Sequence, residues 1–239
     1  SFVFRTFVKF LCAAAQLVAA TVSAQTTNSW TLDGNGFWTS TNDWLPGTNY
    51  PDSPGAVALV TNDFTINRIL YLDDDVTVGT LIWGDANRSN SIDLRSTNAF
   101  PKVLVFDTGD GRQALLEHGT GDRPGRNIGN YNDDIDSGVV VTDPDGLFID
   151  NLTSFSFHET PTATIYRPFD GGGHSVTKGE DGTVSFNGIV TNVSTLWIRD
   201  GAVQFGVEGD PARRPGIGHI VIGVAPGVVD VGANPDGVT

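Results

Sequence analysis

The sequence predicts an all-β chain, wound as a β-solenoid behind a cleavable leader, and three observations carry that prediction. A five-fold recurring strand pattern bracketed by glycine or asparagine runs through the chain. Asp, Asn, Gly and Thr are abundant while Met is absent, a balance that favours turns between short strands over helices. No window sustains a 3.6-residue apolar period over the ten or more residues that a helix requires.

The leader comes first. Arg5 and Lys9 precede an apolar run from Phe10 to Val22, and the small-residue site Val22-Ser23-Ala24 follows, the three-part layout of a secretory signal. Residues 1–24 are therefore expected to form a signal-peptide helix cleaved after Ala24. The run is shorter than the roughly 18 residues that span a bilayer, and no later stretch approaches that length. Cys12 is the one cysteine, so the exported remainder carries neither thiol nor disulfide and depends on its core and backbone ladders. Losing Arg5 and Lys9 would take the formal charge from −14 to −16. Such a charge repels phosphate backbones and anionic lipid, which disfavours nucleic acid and membrane surfaces as partners.

Residues 25–55 form a distinct Trp-rich segment with Trp30, Trp38 and Trp44. Two roles suit it: a cap over the open end of a solenoid, which is the favoured reading, or an aromatic platform for sugar. Strands are then expected at Ala56–Val60, Arg68–Leu72 and Lys102–Phe106, and later at Gly138–Val141, Thr162–Tyr166 and Thr195–Arg199. The stretch from Thr108 to Asp136 reads as a long loop or insertion, crowded with Gly, Asp, Arg and Asn.

The recurring pattern occupies Gly79–Gly84, Gly182–Asn187, Gly201–Gly206, Gly218–Gly223 and Gly227–Gly232. Each copy sets two large apolar residues two positions apart, on one face of a strand, between residues that tolerate turn conformations. The starts at Gly182, Gly201 and Gly227 suit successive coils, whereas Gly218 breaks that spacing and is expected on another face. In this register Leu81, Trp83, Val184, Phe186, Val203 and Phe205 point inward, and Phe186 pairs with Phe205 in the next coil.

The run Trp30, Trp38, Trp44-Leu45-Pro46-Gly47, with Val76-Thr77-Val78-Gly79-Thr80-Leu81, resembles the start of bacterial surface proteins carrying autotransporter-associated β-strand repeats. Lys178–Gly188 and Asp200-Gly201-Ala202-Val203 are similar to one such repeat. Where that family has a Gly/Asn/Thr/Tyr-rich connection, this chain has Ile189-Val190-Thr191-Asn192-Val193-Ser194. The resemblance implies a right-handed parallel β-helix over residues 56–239. It also implies display at the cell surface or outer membrane, or extracellular release, and a chain continuing beyond Thr239. The implied function is non-enzymatic: a stalk, adhesive or interaction surface meeting polysaccharide or protein.

No catalytic constellation, cofactor site or metal site emerges from the residues. Phe157-His158-Glu159-Thr160 lacks the second His of a zinc-protease motif. His174-Ser175 lacks the glycine a nucleophile elbow needs two residues past the serine. His118, His158, His174 and His219 have no ligand spacing. Asn132, Asp134 and Asp136, with Asp143 at the twelfth position, imitate a calcium loop, but Ser137 stands where glycine is required. Solvated loop carboxylates are the simpler reading, and Asp73-Asp74-Asp75 reads as a charged turn. Asn151-Leu152-Thr153 and Asn192-Val193-Ser194 are sequons that a bacterial chain would carry incidentally. Two rivals remain open: a β-helix polysaccharide lyase or hydrolase using Arg123, Arg126 and Arg199 beside acidic groups, and a β-sandwich carbohydrate-binding module with exposed, coplanar indoles.

Overall fold

The computed structural model describes residues 25–97, 102–118, 133–151, 155–157, 169–180, 182–186, 188–205, 216–223 and 229–232. The expected leader at 1–24 and the strand expected at Thr162–Tyr166 lie outside the described residues, as do His158, Arg123, Arg126 and Asn132.

Alternation of apolar and polar residues produces short strands gathered into three sheets of ten, seven and five strands. The body of the large sheet runs Val57–Val60, Thr80–Trp83, Ala114–His118, Leu147–Asn151, Ser175–Gly179, Val193–Ile198 and Ile217–Ile222, each parallel to the next. The seven-stranded middle sheet adds Gly36–Phe37, Arg68–Leu72, Ile92–Ser96, Asp133–Asp136, Phe155–Phe157, Thr183–Phe186 and Ala202–Phe205 in the same order. The small sheet stacks Val76–Val78, Val103–Phe106, Gly138–Val141, Phe169–Asp170 and Val190–Thr191. From Val57 to Thr191 the chain visits large, middle and small sheets in turn, so each strand pairs with the one three elements later. This arrangement is all-β, dominated by parallel pairing, and consistent with a solenoid. Among the described residues the only helical element is the 3-10 turn Thr41–Asp43.

The core fills the space between the sheets. Leu81, Leu116 and Ile149 from the large sheet, Leu70, Leu94 and Ile135 from the middle one, and Val78, Phe106 and Val141 from the small one are all at most 2% exposed. Burying each such side chain contributes about 1.5–3 kcal/mol. The expected register holds: Phe186 lies opposite Phe205, their rings stacked at 5.6 Å and 17°, and Val184 lies opposite Val203. Phe169 of the small sheet meets Phe186 edge-on at 5.1 Å, so the two sheets join through an aromatic contact.

Glycine is required where one coil crosses close to another. Gly172 has φ +60°, and a Cβ there would lie 2.0 Å from the Val141 carbonyl oxygen, so no other residue fits the corner after Phe169–Asp170.

Two expectations need correction. The interval 108–136 is not simply an insertion, because Ala114–His118 is a strand inside the large sheet and Asp133–Asp136 one inside the middle sheet. Ala114, Leu116 and His118 alternate inward, and that apolar spacing outweighs the Gly- and Asp-rich flanks. The Gly227 copy does not continue the Gly182–Gly201 series. Its strand, Val229–Gly232, pairs antiparallel with Ile217–Ile222 in the large sheet, since the short link from Ile222 suits a reversal and not a parallel crossover. The Gly218 copy does occupy a different sheet from Gly182 and Gly201, as its spacing indicated.

At the opposite edge of the large sheet, Trp44–Leu45 pairs antiparallel with Thr27–Trp30. Trp30, Trp38 and Trp44 are at most 1% exposed, with ring centroids 5.2 Å apart for Trp30–Trp44 and 5.0 Å for Trp38–Trp44. Each indole N–H donates to a backbone carbonyl, of Leu32, Pro51 and Trp38 respectively, so all three can be buried without an orphaned donor. Such indoles offer no platform to a sugar. Together with the parallel pairing, this overturns the β-sandwich carbohydrate-module reading.

Candidate functional site

The acidic residues at the coil corners are structural. Asp73 accepts bonds from the Thr39 N–H (3.1 Å) and hydroxyl (2.6 Å), while Asp75 accepts the Val103 N–H at 2.9 Å. Asp74 pairs with Lys102 at 3.2 Å. The expected charged turn thus reaches the coil before it and the coil after it. Asp52 accepts the Thr77 N–H and Asp85 the Phe64 N–H, and Asn35 and Asn67 accept those of Ile69 and Ser91. These residues satisfy backbone donors that the ladders leave open where the chain changes sheet.

Asp143 belongs to the same set. It is fully buried, and its carboxylate accepts the Thr108 N–H (2.8 Å), the Thr108 hydroxyl (2.5 Å) and the Asp145 N–H (2.9 Å). The calcium-loop resemblance therefore loses its last ligand to the turn before Leu147. Its middle is not a loop, since Asp133–Asp136 and Gly138–Val141 are strands of different sheets. Among the described residues no group of three or more His, Cys, Asp or Glu side chains could hold a metal ion.

The described histidines do not gather. His118 is buried in the core with its ring 5.0 Å from that of Trp83, His174 sits at a corner, and His219 is exposed on the last parallel strand of the large sheet. Ser175 faces Ser194 (3.4 Å between hydroxyls), one coil away. Asp170, Asn192 and Ser194 with Gly172, Gly173 and Val193 line an open corner groove of about 490 Å³, in which Asn192 donates to Asp170 at 3.0 Å.

One surface brings chemically distinct groups together: the outward face of the large sheet between Ala114–His118 and Val193–Ile198. Leu147 and Ile149 point into the core, so strand alternation sends Phe148 and Asp150 outward. The pairing places Glu117, Asp150 and Gly179 in one row across adjacent strands. The Arg199 N–H donates to the Lys178 carbonyl, which brings Arg199 alongside Gly179 at the end of that row. A second row contains Leu115, Phe148, Thr177, Trp197 and Val221. Gly179 has no side chain, and the Phe148 ring fills the space: a Cβ on Gly179 would lie 2.7 Å from Phe148 Cζ. The Arg199 guanidinium lies over that ring, 5.9 Å from its centroid.

No family model, curated protein or solved structure matches the chain. The reading of this face therefore rests on its own chemistry. Glu117 is almost wholly buried, Phe148, Asp150 and Trp197 are half-buried, and Arg199 is exposed. Of the sequence candidates the face contains Arg199 alone. Phe148, Asp150, Glu117 and Trp197 were not singled out, because no linear motif links residues contributed by separate strands.

Behind the same sheet lies Lys178, fully buried on the inward face. Its ammonium donates to the carbonyls of Gly179, Glu180 (2.5 Å) and Asp200 (3.2 Å), fastening the corner after Ser175–Gly179 to the next coil.

Proposed function

We propose that this chain is the coil-forming part of an exported surface protein, a right-handed parallel β-helix serving as a stalk and interaction surface and having no catalytic role. The single observation that supports the reading is the unbroken cycle of parallel, in-register pairing through three sheets. Each coil buries its apolar face only by stacking on its neighbours, which makes the product a stiff rod with repeating outward faces. Ten strands at about 4.8 Å spacing give the large sheet a run of about 45 Å along the stack. The Arg5–Ala24 leader pattern supports export, and the Trp30–Pro46 and Lys178–Gly188 resemblance supports a bacterial surface setting akin to autotransporter-associated repeat proteins.

Small-angle scattering of the purified chain tests the shape, and fractionation of cells expressing it tests export. The expected results are an elongated particle and a chain that begins at Gln25 outside the cytoplasm. A spherical particle with retained Phe2–Ala24 would overturn the proposal. One observation favours a polysaccharide lyase or hydrolase as a second reading: Glu117 and Asp150 stand opposite each other on adjacent strands, and glycoside cleavage uses a pair of carboxyl groups. Release of reducing or unsaturated ends from neutral or acidic polysaccharide, lost in Glu117→Gln, would establish it.

A further inference from the structure

We infer that Asn192 is the acceptor of an N-linked glycan. The assignment rests on the export reading, because the donor it requires, a lipid-diphosphate-linked oligosaccharide, is presented on the outer side of the exporting membrane. Three triplets have the Asn-x-Ser/Thr form that such transfer needs: Asn87-Arg88-Ser89, Asn151-Leu152-Thr153 and Asn192-Val193-Ser194. A bacterial resemblance alone makes them incidental, but the fold gives them three different settings.

Asn151 closes the strand Leu147–Asn151 in register with His118, and the same row continues to Trp83, both of them buried core residues. Asn87 is exposed at a corner, yet both ends of its amide are engaged. Its Nδ2 donates to Asp63 on the coil before, and its Oδ1 accepts the Ser89 N–H at 2.8 Å. The Ser89 hydroxyl accepts from Asn90 at 2.8 Å and meets Asp85 at 3.4 Å. The amide and the hydroxyl, the two groups a transferase must grip, are tied down together.

The corner at Asn192 is built differently. Val193 is only 3% exposed, and alternation about it turns Asn192 and Ser194 outward, where both are exposed. Backbone bonds from the Gly173 N–H to the Asn192 carbonyl and from the Ser194 N–H to the His174 carbonyl fix the corner without using either side chain. Asn192 has φ +51°, a left-handed turn conformation that asparagine tolerates. Among the described residues nothing bonds its Oδ1, and the Ser194 hydroxyl meets only that of Ser175, at 3.4 Å.

Room and chemistry agree. The corner groove of about 490 Å³ lies beside the amide, and its wall on the coil before is Gly172-Gly173, where a Cβ on Gly173 would meet nothing within 4 Å. On the coil after, Gly216 packs against Thr191, so a sugar at Asn192 meets no side chain from that position either. In the transfer, Asn192 Nδ2 bonds to the anomeric carbon of the first sugar as that carbon's bond to the diphosphate oxygen breaks. The diphosphate leaves with the electron pair, and one amide proton passes to solvent. An asparagine amide carries two N–H groups, and one of these donates to Asp170 at 3.0 Å. The substituted amide keeps one N–H, so the bond to Asp170 survives and holds the linkage at the mouth of the groove. A bulky, solubilising group there projects from a corner, clear of the ladders that stack the coils.

The test exports the full chain, leader included, from cells whose export route carries an N-linked oligosaccharyltransferase, and maps glycopeptides of the secreted, folded protein. Asn192 should be occupied, with Asn87 and Asn151 unmodified. Ser194→Ala should lose the glycan and Ser194→Thr keep it, both with the circular dichroism of the parent, since Ser194 is exposed. An unmodified Asn192, occupancy of Asn87 or Asn151 equal to or above it, or a glycan that persists in Ser194→Ala would overturn the inference. A secreted chain that begins at Gln25 and has a bare Asn192 defeats this inference alone. A chain that keeps Phe2–Ala24 and stays inside the cell defeats the export reading and this inference with it.

Discussion

Replacing Phe186 by alanine removes a ring that is 3% exposed, stacked on Phe205 at 5.6 Å and met edge-on by Phe169 at 5.1 Å. Truncating a buried Phe costs about 3–5 kcal/mol, from lost transfer free energy and the cavity left behind. For a chain of this size each kcal/mol lowers Tm by about 2–4 °C, which places the expected loss at about 10 °C. Phe186→Leu keeps most of the volume and should cost about 1.5 kcal/mol or less. A double-mutant cycle of Phe186→Leu with Phe205→Leu should return a coupling of about 0.5–1.5 kcal/mol, the worth of an aromatic pair beyond its buried area.

The assay is urea unfolding with hydrogen exchange on the native state. Exchange adds a spatial signature, because each coil touches only its neighbours. Protection should fall in Thr183–Phe186 and Ala202–Phe205 and persist in Val57–Val60 and Arg68–Leu72. A loss below about 1 kcal/mol for Phe186→Ala, or zero coupling in the cycle, would refute the stacked register.

The buried ammonium of Lys178 should prove costly to remove. Lys178→Met fills the space but leaves the carbonyls of Gly179, Glu180 and Asp200 without their shared donor, so a loss of about 2–4 kcal/mol is expected in denaturant unfolding, where a surface lysine would give almost none. Acid should also loosen the corners. The Thr65 hydroxyl, and after it the Arg68 guanidinium, hold Asp33 below its ordinary value of 3.8, and hydrogen bonds from Lys102 and the Arg112 N–H do the same for Asp74 and Asp110. These carboxylates bind fewer protons when folded, so their contribution is present above about pH 4 and is lost as pH falls through the depressed values. Thermal unfolding followed from pH 6 to pH 2 should decline more gently in Asp33→Asn than in the parent, and parallel profiles would count against the linkage.

Much of the stack was legible in the sequence, for a local reason. Arg68–Leu72 and Gly138–Val141 show their apolar positions within five residues, and the Gly-bracketed copies advertise strand and turns together. Ile92–Ser96 and Leu147–Asn151 escaped because charged residues alternate with their inward Ile92, Leu94 and Ile149, diluting the apolar signal. Corner carboxylates were read as solvated or as a charged turn since their partners are remote: Asp143 bonds Thr108 across 35 positions and Asp73 bonds Thr39 across 34. Those offsets follow coil length, which varies, so no fixed spacing exposes them. The Phe148 face was hidden for the same reason, with Arg199 delivered by the second large-sheet strand after Phe148.

Coil length itself has a practical consequence. Ser185 meets Gln204 across only 19 positions, while Thr108 meets Asp143 across 35, and the strands on either side stay in register in both cases. The ladder therefore fixes where a coil must touch its neighbours and leaves the path between sheets free, with added length costing only loop-closure entropy that grows slowly. Foreign peptides grafted at the corners would be carried outward at fixed intervals along the stack, making the chain a graduated display scaffold on which cargo can be spaced by choosing the corner.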